Sequence, residues 1–479
     1  MAADFSKVRF NPTLNYAGVD LQQGRVLLDA DFNELTALLD RRLRALAGDV
    51  LGRATVGANT PDAFKLSLVA GALHIGRGRL YVDGLLAENH GSGAPAYDAL
   101  MGGPTFSTTT PFTLQPWLKG QTPPTAGRHL VYLDVWNREV SALEQPDLVE
   151  AAVGVDSTTR TQTVWQVRVL AENAAAGVDC ASPDAAVPGW AELIAPSTGR
   201  LTTGTFDLAP GTDPCELPPE GGYRGLENQL YRVEIHDAGL PGGGATFKWS
   251  RENNAVGSRV TRFLSNLEVE VESLGRDDVL RFNTGDWVEF IDDEREFAQR
   301  PGELRRVTVN DDTRSLEFSP PLDDLQPPRT NLRVRRWDQA RRVLRVQGSG
   351  TVLHHDLDAP GATGAIPIPA SGTLLLEDGL TVSFTNAGGP GSPGFRSGDF
   401  WTFAARTLDA SVEDLTNAPP RGTQHHYARL GFWDVAAGTV SDCRHPWPPE
   451  GGGDCACTVC VTPASHASGQ LTLQAAVDR

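Results

Sequence analysis

Lysine is scarce in this 479-residue chain. Lys7, Lys65, Lys119 and Lys248 are the only ones, and arginine supplies nearly all the positive charge. Acid still outnumbers base, leaving a formal net charge of −18. No basic stripe interrupts that acidity, which removes the electrostatic footprint of a nucleic-acid binder; the acidity itself mainly favours solubility. No run of 18 apolar residues occurs, so no membrane-spanning helix is expected. The opening MAADFSKVRF lacks the apolar segment of a signal peptide. Folding in a cytosol is the expectation, and that argues against disulfides at first. A product released by lysis or by a dedicated machine can still end up outside the cell. No G-x-S-x-G elbow, H-E-x-x-H or Walker loop is present. The carboxylate pairs of glycosidases leave little trace in sequence, but nothing here points to an enzyme.

What the chain does have is glycine (50) and proline (33) beside an apolar fraction of 40%. That balance suits a loop-rich β protein with real cores, and the length suggests about three domains. The predicted class is mainly β, several small sandwich-like or barrel-like domains with one N-terminal amphipathic helix.

That helix is read over about Phe32 to Ala47. Asp31 is placed to cap it, Glu34 to complete a capping box, and Gly48 to end it in a left-handed turn. Arg41, Arg42 and Arg44 lie late, where they favour the helix dipole. Leu28, Phe32, Leu35, Leu39, Leu43, Leu46 and Val50 repeat every 11 residues, close to the period of a straight helix. Leu38 widens the stripe and the far face is charged. A lone helix of this length is marginal in water, and burying each large side chain contributes roughly 1.5–3 kcal/mol. The stripe therefore needs a partner surface, in the same chain or in another subunit.

Residues 1–52 form the N-terminal arm and helix. A β domain covers 53–172, with period-two alternation between Phe64 and Asn89 and strong strands at 129–136 and 164–170. Residues 173–224 are a Pro/Gly-rich connection, with Cys180 and Cys215 either stapling it or free. Residues 225–345 hold a hairpin at 227–250 and then strands with barrel-like spacing. A further β domain covers 346–410. TGDWVEF at 284–290 and SGDFWTF at 397–403 echo one another, each Gly-Asp setting a turn before a strand. The loop-like segment 411–479 ends in GQLTLQAAVDR, which reads as the start of another element and suggests a piece of a longer protein.

Chemistry-bearing residues are few. Cys443, Cys455, Cys457 and Cys460 invite a tetrahedral structural zinc, with His445 or His466 able to replace one thiol. The paired C-x-x-C knuckles are absent, so disulfides and free thiols stay open. No other cofactor is expected. His354, His355 and Asp356 could meet His425, His426 and Tyr427 around a metal, although solvated loop histidines are the commoner case. The acidic runs Asp292–Asp293–Glu294 and Asp311–Asp312 could hold calcium but lack the EF-hand spacing, and turn chemistry accounts for them. Trp117, Trp190, Trp249 and Trp401 could stack sugars, though tryptophan in a strand is usually core or rim packing.

The opening NPTLNYAGVDLQQGRVLLDADFNEL resembles that of a poorly characterised bacterial family encoded with phage-tail-like contractile injection systems. Similar openings occur in some phage tail and fibre proteins. The matching residues are Tyr16, Gln22, Gln23, Gly24, Arg25, Asp29, Asp31, Asn33 and Glu34. VYLDVWNREV, ENQLYRVEIH, ATFKWSRENN, GDFWTFAART, HHYARL and DCACTVCVTP extend the resemblance over most of the chain. In that family a right-handed parallel β-helix often follows, and this sequence stops before it. The resemblance implies a structural part of an injection particle, such as a baseplate, fibre or outer decoration. Such a part is made in the bacterial cytoplasm and carried in an extracellular or released particle. It implies other tail subunits as partners, a homo-oligomer around the particle axis, and neither nucleic acid nor membrane span. Gln22, Gln23, Arg25, Phe32, Leu35, Leu39, Leu43 and Leu46 are then the expected docking residues. A polysaccharide-binding or carbohydrate-active tail-spike protein is the alternative.

Overall fold

The computed structural model describes residues 3–91, 109–175, 177–206, 222–325, 329–389 and 391–447. The protein is mainly β, with one long helix near the N-terminus. Among the described residues no helix is long and apolar enough to cross a membrane. The chain divides into two compact units, and each is built from three separated stretches of sequence.

The first unit comprises residues 1–41, 136–162 and 192–424. Two five-stranded sheets share one core there. One runs in the order Gly199–Thr205, Leu380–Asn386, Thr373–Leu375, Arg342–Gln347, Gly350–Asp356. The other runs Ile366–Pro367, Thr246–Ser250, Gln229–Ile235, Phe400–Arg406, Ser411–Val412. Leu201, Leu374, Val382 and Phe384 of the first meet Val233, Phe247, Trp401 and Phe403 of the second, which makes a sandwich. The sequence-predicted hairpin is present, with Val233 opposite Trp249 and Ile235 opposite Phe247.

A closed six-stranded barrel belongs to the same unit. Its strands are Gly257–Ser265, Glu268–Val271, Ser315–Phe318, Glu303–Asn310, Trp287–Ile291 and Arg333–Trp337. Val269, Val271, Phe290, Leu316 and Val334 fill it. Four of the six, Glu268–Val271, Trp287–Ile291, Glu303–Asn310 and Ser315–Phe318, coincide with the strands read near 267–271, 287–291, 304–309 and 316–318 in the sequence. Arg333–Trp337 did not read as a strand because three of its five residues are arginines, yet all five are buried.

The second unit comprises residues 42–135, 163–191 and 425–479. Period-two alternation becomes the strands Leu66–Val69, Ala72–Gly76, Gly78–Val82 and Leu85–Asn89. Their inward residues Ile75 and Leu80 line one core with Val131, Leu133 and Trp165. The loop-like reading of the chain after residue 411 needs correction at His425–Asp434. This ten-residue strand lies beside Arg128–Val140 and contributes Leu430 and Trp433 to the core. Its polar start, His-His-Tyr-Ala-Arg, hides a period-two pattern that becomes apolar only at its end.

Candidate docking surface

The long helix runs from Asp29 to Leu51, longer at both ends than its sequence signals. Asp29, rather than Asp31, takes the start: its carboxylate accepts the Ser6 N–H at 2.9 Å and the Ser6 hydroxyl at 2.5 Å. Asp31 pairs with Arg9 at 3.2 Å. The helix passes through Gly48. Gly52 ends it instead, at φ 86° and donating its N–H to the Gly48 carbonyl. In the second unit Arg44 meets the His426 ring at 3.0 Å, and His426 meets Asp83 at 3.0 Å. A side chain on Gly84 would collide with the Arg44 backbone, so glycine allows that close approach.

The helix buries the face opposite its leucines. Ala30 and Leu38 are its only fully buried residues, and Ala37 and Gly48 are half-buried. Leu28, Phe32, Leu39, Leu43, Leu46 and Val50 are exposed, Leu43 to 67%, and Leu35 is half-buried. None of these residues joins the sandwich core, the barrel core or the core of the second unit. A partner inside the same chain was one of the two sequence expectations, and among the described residues none covers the stripe. The lead-in segment is exposed as well: Leu14, Tyr16, Leu21, Val26 and Leu27 are open to solvent, as are Gln22, Gln23 and Arg25. Gly24 adopts φ 71° in the turn that carries Gln22 to Arg25. Among the described residues, 11 of the 24 exposed large apolar side chains lie between Leu14 and Val50. Scattered exposed leucines are ordinary, but a contiguous apolar tract marks an interaction surface.

A profile of a family of unknown function, DUF6519, matches residues 1–187 and 200–467. The chain belongs to DUF6519. No curated protein and no solved structure matches it.

Elsewhere in this DUF6519 protein the sequence-predicted residues serve local structure. Cys443 forms a disulfide with Cys180, not with a thiol of its own tail, and Cys180 is not joined to Cys215. Cys215, Cys455, Cys457, Cys460 and His466 lie outside the described residues, which contain no cluster of three or more metal-ligating side chains. His354 Nε2 contacts the Pro367 carbonyl and His425 Nδ1 contacts Asp134 at 2.7 Å. Asp292 caps a short helix, accepting the Arg295 N–H, while Asp293 pairs with Arg333 and Glu294 with Arg329. Asp311 pairs with Arg281. Trp190, Trp249 and Trp401 are buried, and half-buried Trp117 packs edge-on against Trp165.

Sequence reasoning missed a buried charged cluster. Lys248 is almost fully buried, with Nζ 2.5 Å from Glu289 and 3.2 Å from Glu234, over the Trp337 ring. Trp337 Nε1 donates to the other Glu289 oxygen at 2.9 Å. Burial pushes the Glu234 carboxyl up, but Lys248 and Arg232 outweigh it and hold it at about 2. Burial, then the Lys248 charge, pushes His236 down to about 4. The signal was a lone lysine inside an apolar strand, Phe-Lys-Trp. A second cluster joins Glu144 to Arg333 and Arg335 at 3.1 and 3.0 Å. Lys248, Glu289, Glu144, Arg333 and Arg335 are buried and paired with counter-charges, an arrangement that holds strands together. Two open grooves exist in the first unit. One, of about 480 Å³, is lined by residues such as Leu240, Thr373, Ser383 and Asn386. The other, of about 790 Å³, is lined by Glu268, Thr284, Arg306 and Glu317 on the barrel. Neither contains a histidine or cysteine.

Proposed function

We propose that this protein is a structural component of a contractile, phage-tail-like injection particle, docking through residues 1–52 and presenting or anchoring a distal module. The observation that carries the reading is the solvent-facing apolar tract from Leu14 to Val50 on a chain otherwise built around sheltered cores. Such a tract is costly to leave in water. The resemblance of its sequence to injection-system and tail-fibre openings supplies the setting. In this reading the protein is not an enzyme. It is made in the bacterial cytoplasm and ends in a released or extracellular particle, where the Cys180–Cys443 bond would persist. A baseplate, fibre or outer-decoration position all fit.

The test is deletion of residues 1–52 followed by imaging of purified particles. Occupancy should fall to background while the remaining chain stays folded. Normal decoration by the truncated chain defeats the proposal. A carbohydrate-active tail-spike is the weaker reading, because Trp190, Trp249 and Trp401, three of the four tryptophans that would stack sugars, are buried. Release of reducing ends from a polysaccharide panel would reinstate it.

A further inference from the structure

Among the described residues nothing covers the leucine stripe. Its spacing repeats without error over 11 residues: Leu28, Leu39 and Val50 form one row, Phe32 and Leu43 a second, Leu35 and Leu46 a third. A helix that stays in register with this stripe along its whole length needs the same repeat. Other copies of this helix have it by construction. Residues flanking the stripe then decide orientation. At 100° per residue, Asp31, Arg42 and Asp49 lie along one flank, and Asp29, Thr36 and Asp40 along the other. Between parallel copies each flank faces the opposite flank of its neighbour at the same height, so Arg42 comes beside Asp40, each also engaged within its own chain. Asp29 also approaches Asp31, but the first is engaged by Ser6 and the second by Arg9, which softens the repulsion. An antiparallel pair centred on Leu39 brings Asp31 beside Asp49 and offers Arg42 no carboxylate across the seam.

We infer that the stripe of the helix Asp29–Leu51 is a self-association seam, covered by the same helix of further copies of this chain running parallel to it. The inference rests on reading residues 1–52 as the assembly element, and it divides the labour within them. The helix gathers copies; the exposed lead-in with Tyr16, Leu21, Gln22, Gln23 and Arg25 is left for the particle.

The test uses the purified full chain without particle components. Sedimentation should give a mass that is a multiple of 51.4 kDa. The double variant Leu39→Asp/Leu43→Asp should sediment as the monomer with an unchanged thermal melt, since both side chains are exposed in the single chain. Under oxidation the Leu46→Cys variant should form a disulfide that links the same position of two copies, seen by peptide mapping. A Phe32→Cys chain mixed with a Leu46→Cys chain should give no mixed bond, whereas an antiparallel pair would give only that. A wild-type chain that stays monomeric at all concentrations overturns the inference. So does an oligomer that survives the double aspartate variant, a mixed bond between the two variants alone, or stripe-dependent binding of a monomer to phosphatidylglycerol vesicles. If the wild type is monomeric yet the double variant no longer decorates particles, a particle subunit covers the stripe, and the assembly reading stands without this seam. If the seam forms but deletion of residues 1–52 leaves decoration normal, the seam stands and particle docking fails.

Discussion

At the scale of single residues, the charged groups inside the first unit set how this protein should respond to acid. Glu144 illustrates the balance. Burial raises its carboxyl, but Arg335, Arg333 and hydrogen bonds from Ser141 hold it at about 2. Glu234 lies at about 2 for similar reasons. For both, the folded state binds protons less readily than the unfolded chain, whose carboxyls titrate near 4.5. Their contribution is complete above about 4.5 and disappears as pH falls toward 2. His236 has the same sign at a higher window: its folded value is about 4 against an ordinary 6.5, so stability is lost as pH falls between those values. Glu252 opposes His236 between about 6 and 4.5. Burial and the nearby Asp338 raise it to about 6, against the pull of Arg336, so its contribution grows on acidification. Urea midpoints measured at descending pH should therefore change little between about 6 and 4.5, where His236 and Glu252 offset one another, and fall steeply below 4.5. His236→Gln should turn the upper part of that profile into a rise on acidification. A midpoint that stays flat below 4.5 would refute the account. Removing one partner of such a cluster is costlier than never having had it, because the orphaned charge stays buried.

At the scale of elements, turns carry much of the information. The echo between 284–290 and 397–403 is structural. In both, the glycine adopts a positive φ, 101° at Gly285 and 83° at Gly398. In both, the following aspartate accepts the backbone N–H three residues earlier, Asp286 from Asn283 and Asp399 from Arg396, each at 2.8 Å. The same side-chain chemistry starts a barrel strand in one place and a sandwich strand in the other. The helix terminus follows the same logic with a different glycine from the one the sequence suggested. Gly48 can sit inside the helix at a cost of roughly 1 kcal/mol relative to alanine. Gly52 has to be left-handed. Gly52→Ala should lower stability by about 1 kcal/mol through strain alone, since nothing lies within 4 Å of the added methyl. Gly48→Ala, where the added methyl also meets nothing, should raise it. Paired chemical melts would check this, and equal signs for the two variants would count against it.

At the scale of the molecule, non-local closure dominates. Three separated stretches of sequence make each unit. In the second unit Ala54–Gly57 pairs in parallel with Pro446–Trp447, and the Cys180–Cys443 bond spans 263 residues. Closing a loop that long restricts the unfolded chain and, on the chain-entropy account, contributes roughly 5 kcal/mol. Cys180→Ser should therefore lower the thermal midpoint under non-reducing conditions and abolish the further drop that reductant causes in the wild type. A wild-type melt indifferent to reductant would show that the bond contributes nothing to stability.

Local signals were enough for the class of fold, for the alternating strands between Phe64 and Asn89, for the hairpin 227–250, for the Gly-Asp turns and for the leucine stripe. Each depends on residues within one turn or one strand of each other, where side-chain period and backbone φ are set by neighbouring residues. What the tertiary structure decided were matters between distant residues. It paired Cys180 with Cys443, buried Arg333 and Arg335 by supplying Glu144, Asp293 and Glu296, and recruited His425–Asp434 into a core. It also turned the helix so that Ala30 and Leu38 face inward and the leucines outward. Period alone shows that a helix has an apolar side; only the packing of small residues against the rest of the chain determines which side is left for a partner.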